Sequence, residues 1–230
     1  MFGGGVALER ELFAVAAELG AEVMIGSSSA ERVQRAAKDV GGKVRGEVVD
    51  LSDEAAVQAF FAKIGEFDHL VYTAADGLTT TELAKTDLKA ARKMLDLRFW
   101  SVLAAVKYAS PKLREGGSIT LTTGIYGPRP IKGIAIIASI AAMMEGLTRA
   151  LALDLGPIRV NCVSPGVVRT KLWDYMSAAE RNEFFTKTGA QLPVGHVGEP
   201  EQVAQTYLYL MQQPFSTGQT VIVDGGAVLV

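Results

Sequence analysis

The residue types that do chemistry are sparse in this chain, and their spacing narrows what they can do. A single cysteine, Cys162, excludes an internal disulfide, and two histidines far apart in sequence, His69 and His196, do not assemble a zinc site. The remaining candidates are hydroxyls and a guanidinium. Thr122 and Thr123 close an apolar run, and Tyr126 follows inside the loop "GIYGPRPIKG" (124–133), where a hydroxyl at a strand end could reach a crevice. Arg98, in "LDLRFWS" (95–101), carries a planar fork suited to carboxylate or phosphate through two parallel hydrogen bonds. Trp100, Trp173 and Tyr175 could wall an organic ligand. Each has a plainer reading beside the chemical one: an ion pair of Arg98 with Asp76 or Asp96, a packed tyrosine with a solvated tip, threonines that complete a strand, and aromatic residues in the core or a subunit interface.

The elements that must position these groups follow from periodicity. Leu8, Leu12, Val15 and Leu19 recur at helical spacing up to Gly20, and "AEVMIG" then reads as a short strand. "KVRGEVVD" (43–50), "DHLVYTA" (68–74), "GSITLTT" (117–123), "PIRVNCV" (157–163) and "QTVIVD" (219–224) are further strands. Helical patterns at 30–39, 53–63, 87–113, 137–155 and 200–212 separate them. Strands that are apolar runs alternating with helices predict a doubly wound, three-layer α/β fold with a parallel sheet, whose ligand crevice opens at the carboxyl ends of the strands. The loop 124–133 and the long excursion 163–200 are placed to wall that crevice.

Bulk properties exclude other classes. At 230 residues, 49% hydrophobic and 21% charged, the chain suits one domain over 1–230 with one core. A net charge of −2 with scattered basic residues gives no field for nucleic acid or an anionic membrane. No segment offers roughly 18 uninterrupted apolar residues, there is no charged leader before an apolar run, and the cysteine usage points to the cytoplasm.

Several motifs in order and at the right spacing, "VVDLSD" (48–53), "GPRPIKG" (127–133), "EGLTRALALDL" (145–155), "IRVNCVSPGVVRT" (158–170), "GEPEQVAQTYLYL" (198–210) and "TGQTVIVDGG" (217–226), make the chain resemble the short-chain dehydrogenase/reductase family over essentially its whole length. The resemblance implies a Rossmann-like fold and NAD(P), with Gly3, Asp50, Ala74, Pro165 and Gly166 at family cofactor positions. Asp50 is open to a second reading as a turn residue before the helix at 53–63. Of the family's three loop glycines, Gly3 matches the first, while Ala7 and Glu9 replace the others and set a carboxylate where a pyrophosphate would approach, so cofactor binding is in doubt. Little chain precedes Gly3, which leaves either a sheet without its first strand or a chain that starts at an internal methionine.

The same alignment places Gly124 at the family's catalytic serine, Ile137 at its tyrosine, Ala141 at its lysine and Arg98 at its helix asparagine. The expectation is a fold of this family without the Tyr/Lys hydride-transfer site, binding a small organic molecule of anionic character, or catalysing a non-redox reaction, around Arg98, with Thr123 and Tyr126 as candidate hydroxyls. Two alternatives stand beside it: an NAD(P)-dependent oxidoreductase with a rebuilt site, and a non-catalytic subunit that pairs with an active paralogue. The family's habit and the apolar "AIIASIAAMMEGL" face imply a homodimer or homotetramer; no metal is expected.

Overall fold

The computed structural model describes residues 7–40, 44–74 and 80–230, with side chains from Arg10 onward. Helix α1 (Ala7–Glu18) buries Leu12, Phe13 and Ala16. Gly20, at φ +87°, then makes a left-handed turn that a side chain would resist, and releases the chain into β1 (Val23–Ser27). There follow α2 (Ala30–Val40), β2 (Val44–Val48), α3 (Glu54–Ile64), β3 (Phe67–Val71) and α4 (Leu88–Leu95). A five-residue π-helical turn, Asp96–Trp100, leads into α5 (Ser101–Ala109) and β4 (Leu113–Thr122). The chain ends with α6 (Ala135–Asp154), β5 (Arg159–Pro165), α7 (Ala178–Gln191), α8 (Pro200–Gln212) and β6 (Thr220–Val223).

All strand pairs are parallel, as helical crossovers between successive strands require. The described sheet comes in two parts, β1–β2 and β3–β4–β5–β6. A cavity of about 480 Å³ lies between them, bordered by Val23 and Met24 on one side and Phe67, His69 and Leu70 on the other. The segment with Gly3, on which the expectation about the first strand turned, lies outside the described residues.

Because successive strand residues face opposite ways, each strand feeds two cores. On one face Leu70, Ile119, Leu121, Val160 and Cys162 pack against Val57, Phe60 and Phe61 of α3, Val102, Ala105 and Val106 of α5, and Met144 and Leu151 of α6. On the other, Val71 and Val163 meet Leu12 of α1 and Val203, Ala204, Tyr207 and Leu210 of α8. Helix α6 matches a membrane span by length and composition, with a mean hydropathy of 1.5, yet it crosses over from β4 to β5 and buries Ile137, Ile140, Ala141, Met144 and Leu151 in the protein.

Three expectations are corrected. The single helix expected at 87–113 is α4, the π turn and α5 in succession, and β4 begins as early as Leu113. The excursion at 163–200 contains α7, started by a reciprocal cap in which the Ser177 hydroxyl accepts from the Glu180 N–H and Glu180 accepts from the Ser177 N–H. Strand β2 is mostly exposed rather than an apolar run, because it is the outer member of its pair.

Candidate active site

The carboxyl ends of β3, β4 and β5 converge on a cavity of about 200 Å³. Residues 72–74 follow β3, Thr122 to Tyr126 continue β4, and Pro165 to Val168 continue β5 into the excursion, which returns Leu172 and Trp173 as a roof. Helix α6 supplies Ile137, Ile140, Ala141 and Met144, and the π turn supplies Arg98. Sequence reasoning assigned Arg98, Thr123, Gly124, Tyr126, Ile137, Ala141, Ala74, Pro165 and Gly166 to one crevice, and all nine line this cavity.

Their chemistry differs. The Thr122 hydroxyl donates to the Tyr72 carbonyl at 2.8 Å and meets the Tyr207 hydroxyl at 2.7 Å. Thr123 donates to the Ala141 carbonyl at 3.1 Å, so its hydroxyl ties the β4 end to α6 rather than facing a ligand. Tyr126 is half-buried and has no hydrogen bond within the described structure; burial, with a smaller contribution from nearby Tyr175, raises its pKa and holds the phenol protonated at neutral pH. Gly124 is not demanded by packing, since a Cβ there would meet only the Pro165 carbonyl, at 4.0 Å. Ile137 and Ala141, each 6% exposed, make the α6 wall apolar.

Arg98 is half-buried, and its position follows from the π turn. In that turn the Ser101 N–H reaches back to Asp96, and the Leu97 carbonyl instead accepts from the Ser101 hydroxyl and from Tyr72, whose OH lies 3.2 Å away. The Tyr72 and Ser101 hydroxyls are themselves 2.6 Å apart. Buried Tyr72 thus fastens the end of β3 to the wide turn that presents Arg98. Burial, the dominant influence, pushes the Tyr72 pKa well up, with Ser101 and Arg98 opposing it. Sequence reasoning passed over Tyr72 as one more residue of a strand; its signal was a polar-tipped aromatic ending an apolar run, since buried phenols need a partner.

The remaining candidates fall away from the cavity. Trp100 and Tyr175, 60% and 65% exposed, are not part of its lining, so of the three proposed aromatic walls only Trp173 is one. Asp50 is exposed, and its carboxylate accepts from the Ser52 N–H at 2.9 Å and the Ser52 hydroxyl at 2.7 Å, the geometry of the turn reading. That capping lowers its pKa. Gly166 is held by packing: a Cβ would come within 2.8 Å of the Asp224 Cα. Gly3 and Asp76 lie outside the described residues.

Comparison with known proteins agrees with this architecture. Residues 11–228 match a family model described as enoyl-(acyl carrier protein) reductase. The short-chain dehydrogenase/reductase ATR9 of Stachybotrys chlorohalonatus is 36% identical over 225 residues, which cover 91% of this chain and 88% of the relative. Among solved structures, a small-chain dehydrogenase in complex with NADPH has a TM-score of 0.81 at 33% identity, covering 91% of this chain and 100% of that one. The reductase/Diels–Alderase MalC of Malbranchea aurantiaca has a TM-score of 0.93 at 25% identity, covering 100% of this chain and 95% of its own. With a family model spanning nearly the whole chain and a relative of this identity and coverage, the protein belongs to the short-chain dehydrogenase/reductase family of Rossmann-fold oxidoreductases.

Proposed function

We propose that this protein is an NAD(P)H-dependent reductase of a small organic carbonyl compound, in which Tyr126 and Arg98 do the work that the family assigns to a helix Tyr/Lys pair. The observation that carries the reading is the pairing, in one apolar cavity, of a protonated phenol without an internal hydrogen bond and a half-buried guanidinium. Family membership and the NADPH held by a structural neighbour favour this reading over a non-redox site. It therefore promotes the second of the three functions expected from the sequence.

The described residues fit the nicotinamide half of such a cofactor. Ala74 brings a small side chain to the cavity and the Pro165–Gly166 turn lines it, giving a surface against which a flat ring can lie. A bound nicotinamide would supply the two electrons and the hydrogen that reduce the carbonyl carbon. The chain itself would place the carbonyl oxygen beside Tyr126, which donates the proton, and beside Arg98, whose charge stabilises the oxygen as it becomes negative. Val102, Ile125, Ile137, Ile140 and Met144 exclude water, which strengthens both interactions.

Calorimetric titration with NADPH and NADH tests the reading. Binding of either, with carbonyl-dependent cofactor oxidation, is the expected result; no heat with either at millimolar concentration overturns it. One observation favours a second reading: MalC, alike in fold over this entire chain, is named as a Diels–Alderase as well as a reductase. An apolar cavity that orients two reacting groups could act without redox change, and cofactor-independent turnover of a diene–dienophile substrate would mark that case.

A further inference from the structure

We propose that Trp173 sets the upper size of the molecule this site accepts, restricting it to compact, apolar ring ketones of one or two rings. The inference rests on the reductase reading for its chemistry, and on the cavity alone for its size limit.

Trp173 is the one aromatic ring that the excursion after β5 contributes to the cavity, and it is fixed from several sides. It is only 6% exposed, and its indole N–H donates to the Val168 carbonyl at 2.9 Å. The ring lies 4.8 Å from Phe184 and 6.4 Å from Phe185, both on α7, and Phe185 is covered in turn by the Arg169 guanidinium at 4.7 Å. Because the N–H is committed, the indole presents only a ring to the ligand. To swing aside it would have to break that hydrogen bond and unpack the α7 aromatic cluster together. The roof is therefore a rigid wall and not an adjustable flap.

Helix α6 lines the same cavity with Ile137, Ile140, Ala141 and Met144, which are likewise packed and buried. The cavity volume of about 200 Å³, part of which the nicotinamide ring would occupy, falls below the roughly 300–1,000 Å³ of sites for drug-sized ligands. The polar requirement is equally narrow. Thr122 and Thr123 are committed internally, and the Thr170 hydroxyl caps the turn at Leu172. A ligand carrying several polar groups would leave some of them buried without partners, whereas a single carbonyl meets Tyr126 and Arg98. A ring system with one oxygen acceptor matches both limits.

The experiment compares cyclohexanone, 2-tetralone and the tricyclic 9-fluorenone with the full-length protein and its Trp173→Phe and Trp173→Ala variants, measuring kcat/KM and, separately, Kd without turnover. In the parent protein the one- and two-ring ketones are preferred. Trp173→Ala should raise the fluorenone-to-cyclohexanone ratio by about tenfold or more, mostly through KM, and Trp173→Phe by a smaller factor in the same direction. If both ketones weaken in parallel and the ratio holds in either folded variant, Trp173 only supports packing and the proposal fails. If no ketone is reduced but the Kd ratio shifts as stated, the size limit stands and the reductase reading falls.

Discussion

Tyr126 is the residue on which the chemistry turns, because its hydroxyl, unlike those of Thr122 and Thr123, has no internal hydrogen bond in the described structure. Replacing it with phenylalanine removes a proton donor and breaks no hydrogen bond among the described residues, so folding should be unchanged. Tyr126→Phe is expected to lower kcat by about 10²-fold or more with little change in KM, measured by steady-state cofactor oxidation. A loss confined to KM would reassign Tyr126 to binding. Arg98 presents the sharper alternative, since a half-buried guanidinium on a helix turn can serve structure as readily as a ligand. If it serves the ligand, Arg98→Ala should weaken the binding of a carbonyl-bearing ligand by about 10- to 100-fold in calorimetry, with a modest change in Tm. An unchanged Kd with a large fall in Tm would make it a structural group.

The element that presents Arg98 is the π turn, and what keeps it wide is the hydroxyl pair of Tyr72 and Ser101 on the Leu97 carbonyl. Tyr72→Phe keeps the packing but leaves that carbonyl short of one donor. It should cost about 1–2 kcal/mol in urea unfolding and raise KM through Arg98 more than it lowers kcat. At the end of β5, Gly166→Ala sets a methyl 2.8 Å from the Asp224 Cα and must push β6 away. A destabilisation of about 1–3 kcal/mol is expected, measured the same way. Element by element, the sequence was readable where local signals and burial agreed: α8 was found at its observed ends, 200–212, because Pro200 and the Glu199–Gln202 reciprocal cap mark its start. It was unreadable where they conflicted. The π turn has the same apolar spacing as a continuous helix, so nothing in "LDLRFWS" separates α4 from α5; what decides is the tertiary contact from Tyr72. Helix α7 was missed although "SAAE" (177–180) is a capping pattern, because its exposed face leaves a weak apolar period. Likewise, sequence position brought the candidate residues to one crevice, but only side-chain partners separate the committed Thr123 from Tyr126.

Over the whole molecule, the buried ionisable groups bound the pH range in which the fold holds. Cys162 lies in the core between the sheet and α6, where burial, opposed by a hydrogen bond from Thr148, pushes its thiol from an ordinary value of 9.0 up to about 12. Tyr72 and Tyr126 are shifted upward for the same reason. Each of these groups is neutral when protonated, so above its unfolded pKa the unfolded chain releases a proton that the folded chain keeps. The unfolded state then binds fewer protons, and stability falls as pH rises. For Cys162 the loss begins near pH 9 and continues towards 12, on the order of 1–2 kcal/mol by pH 10; the tyrosines add to it from about pH 10 upward. His69 acts at the other limit. Burial lowers its pKa, with Asp68 opposing and Arg159 reinforcing, so below about pH 6.5 the unfolded chain takes up a proton that the folded chain resists, and stability falls as pH falls. Urea unfolding at a series of pH values should therefore show a plateau between about pH 7 and 8.5, with a decline on either side. Cys162→Val, close in volume and without a thiol, should delay the alkaline decline until the tyrosines titrate, near pH 10. A decline that keeps its onset near pH 9 in this variant would show that the thiol does not govern the alkaline limit.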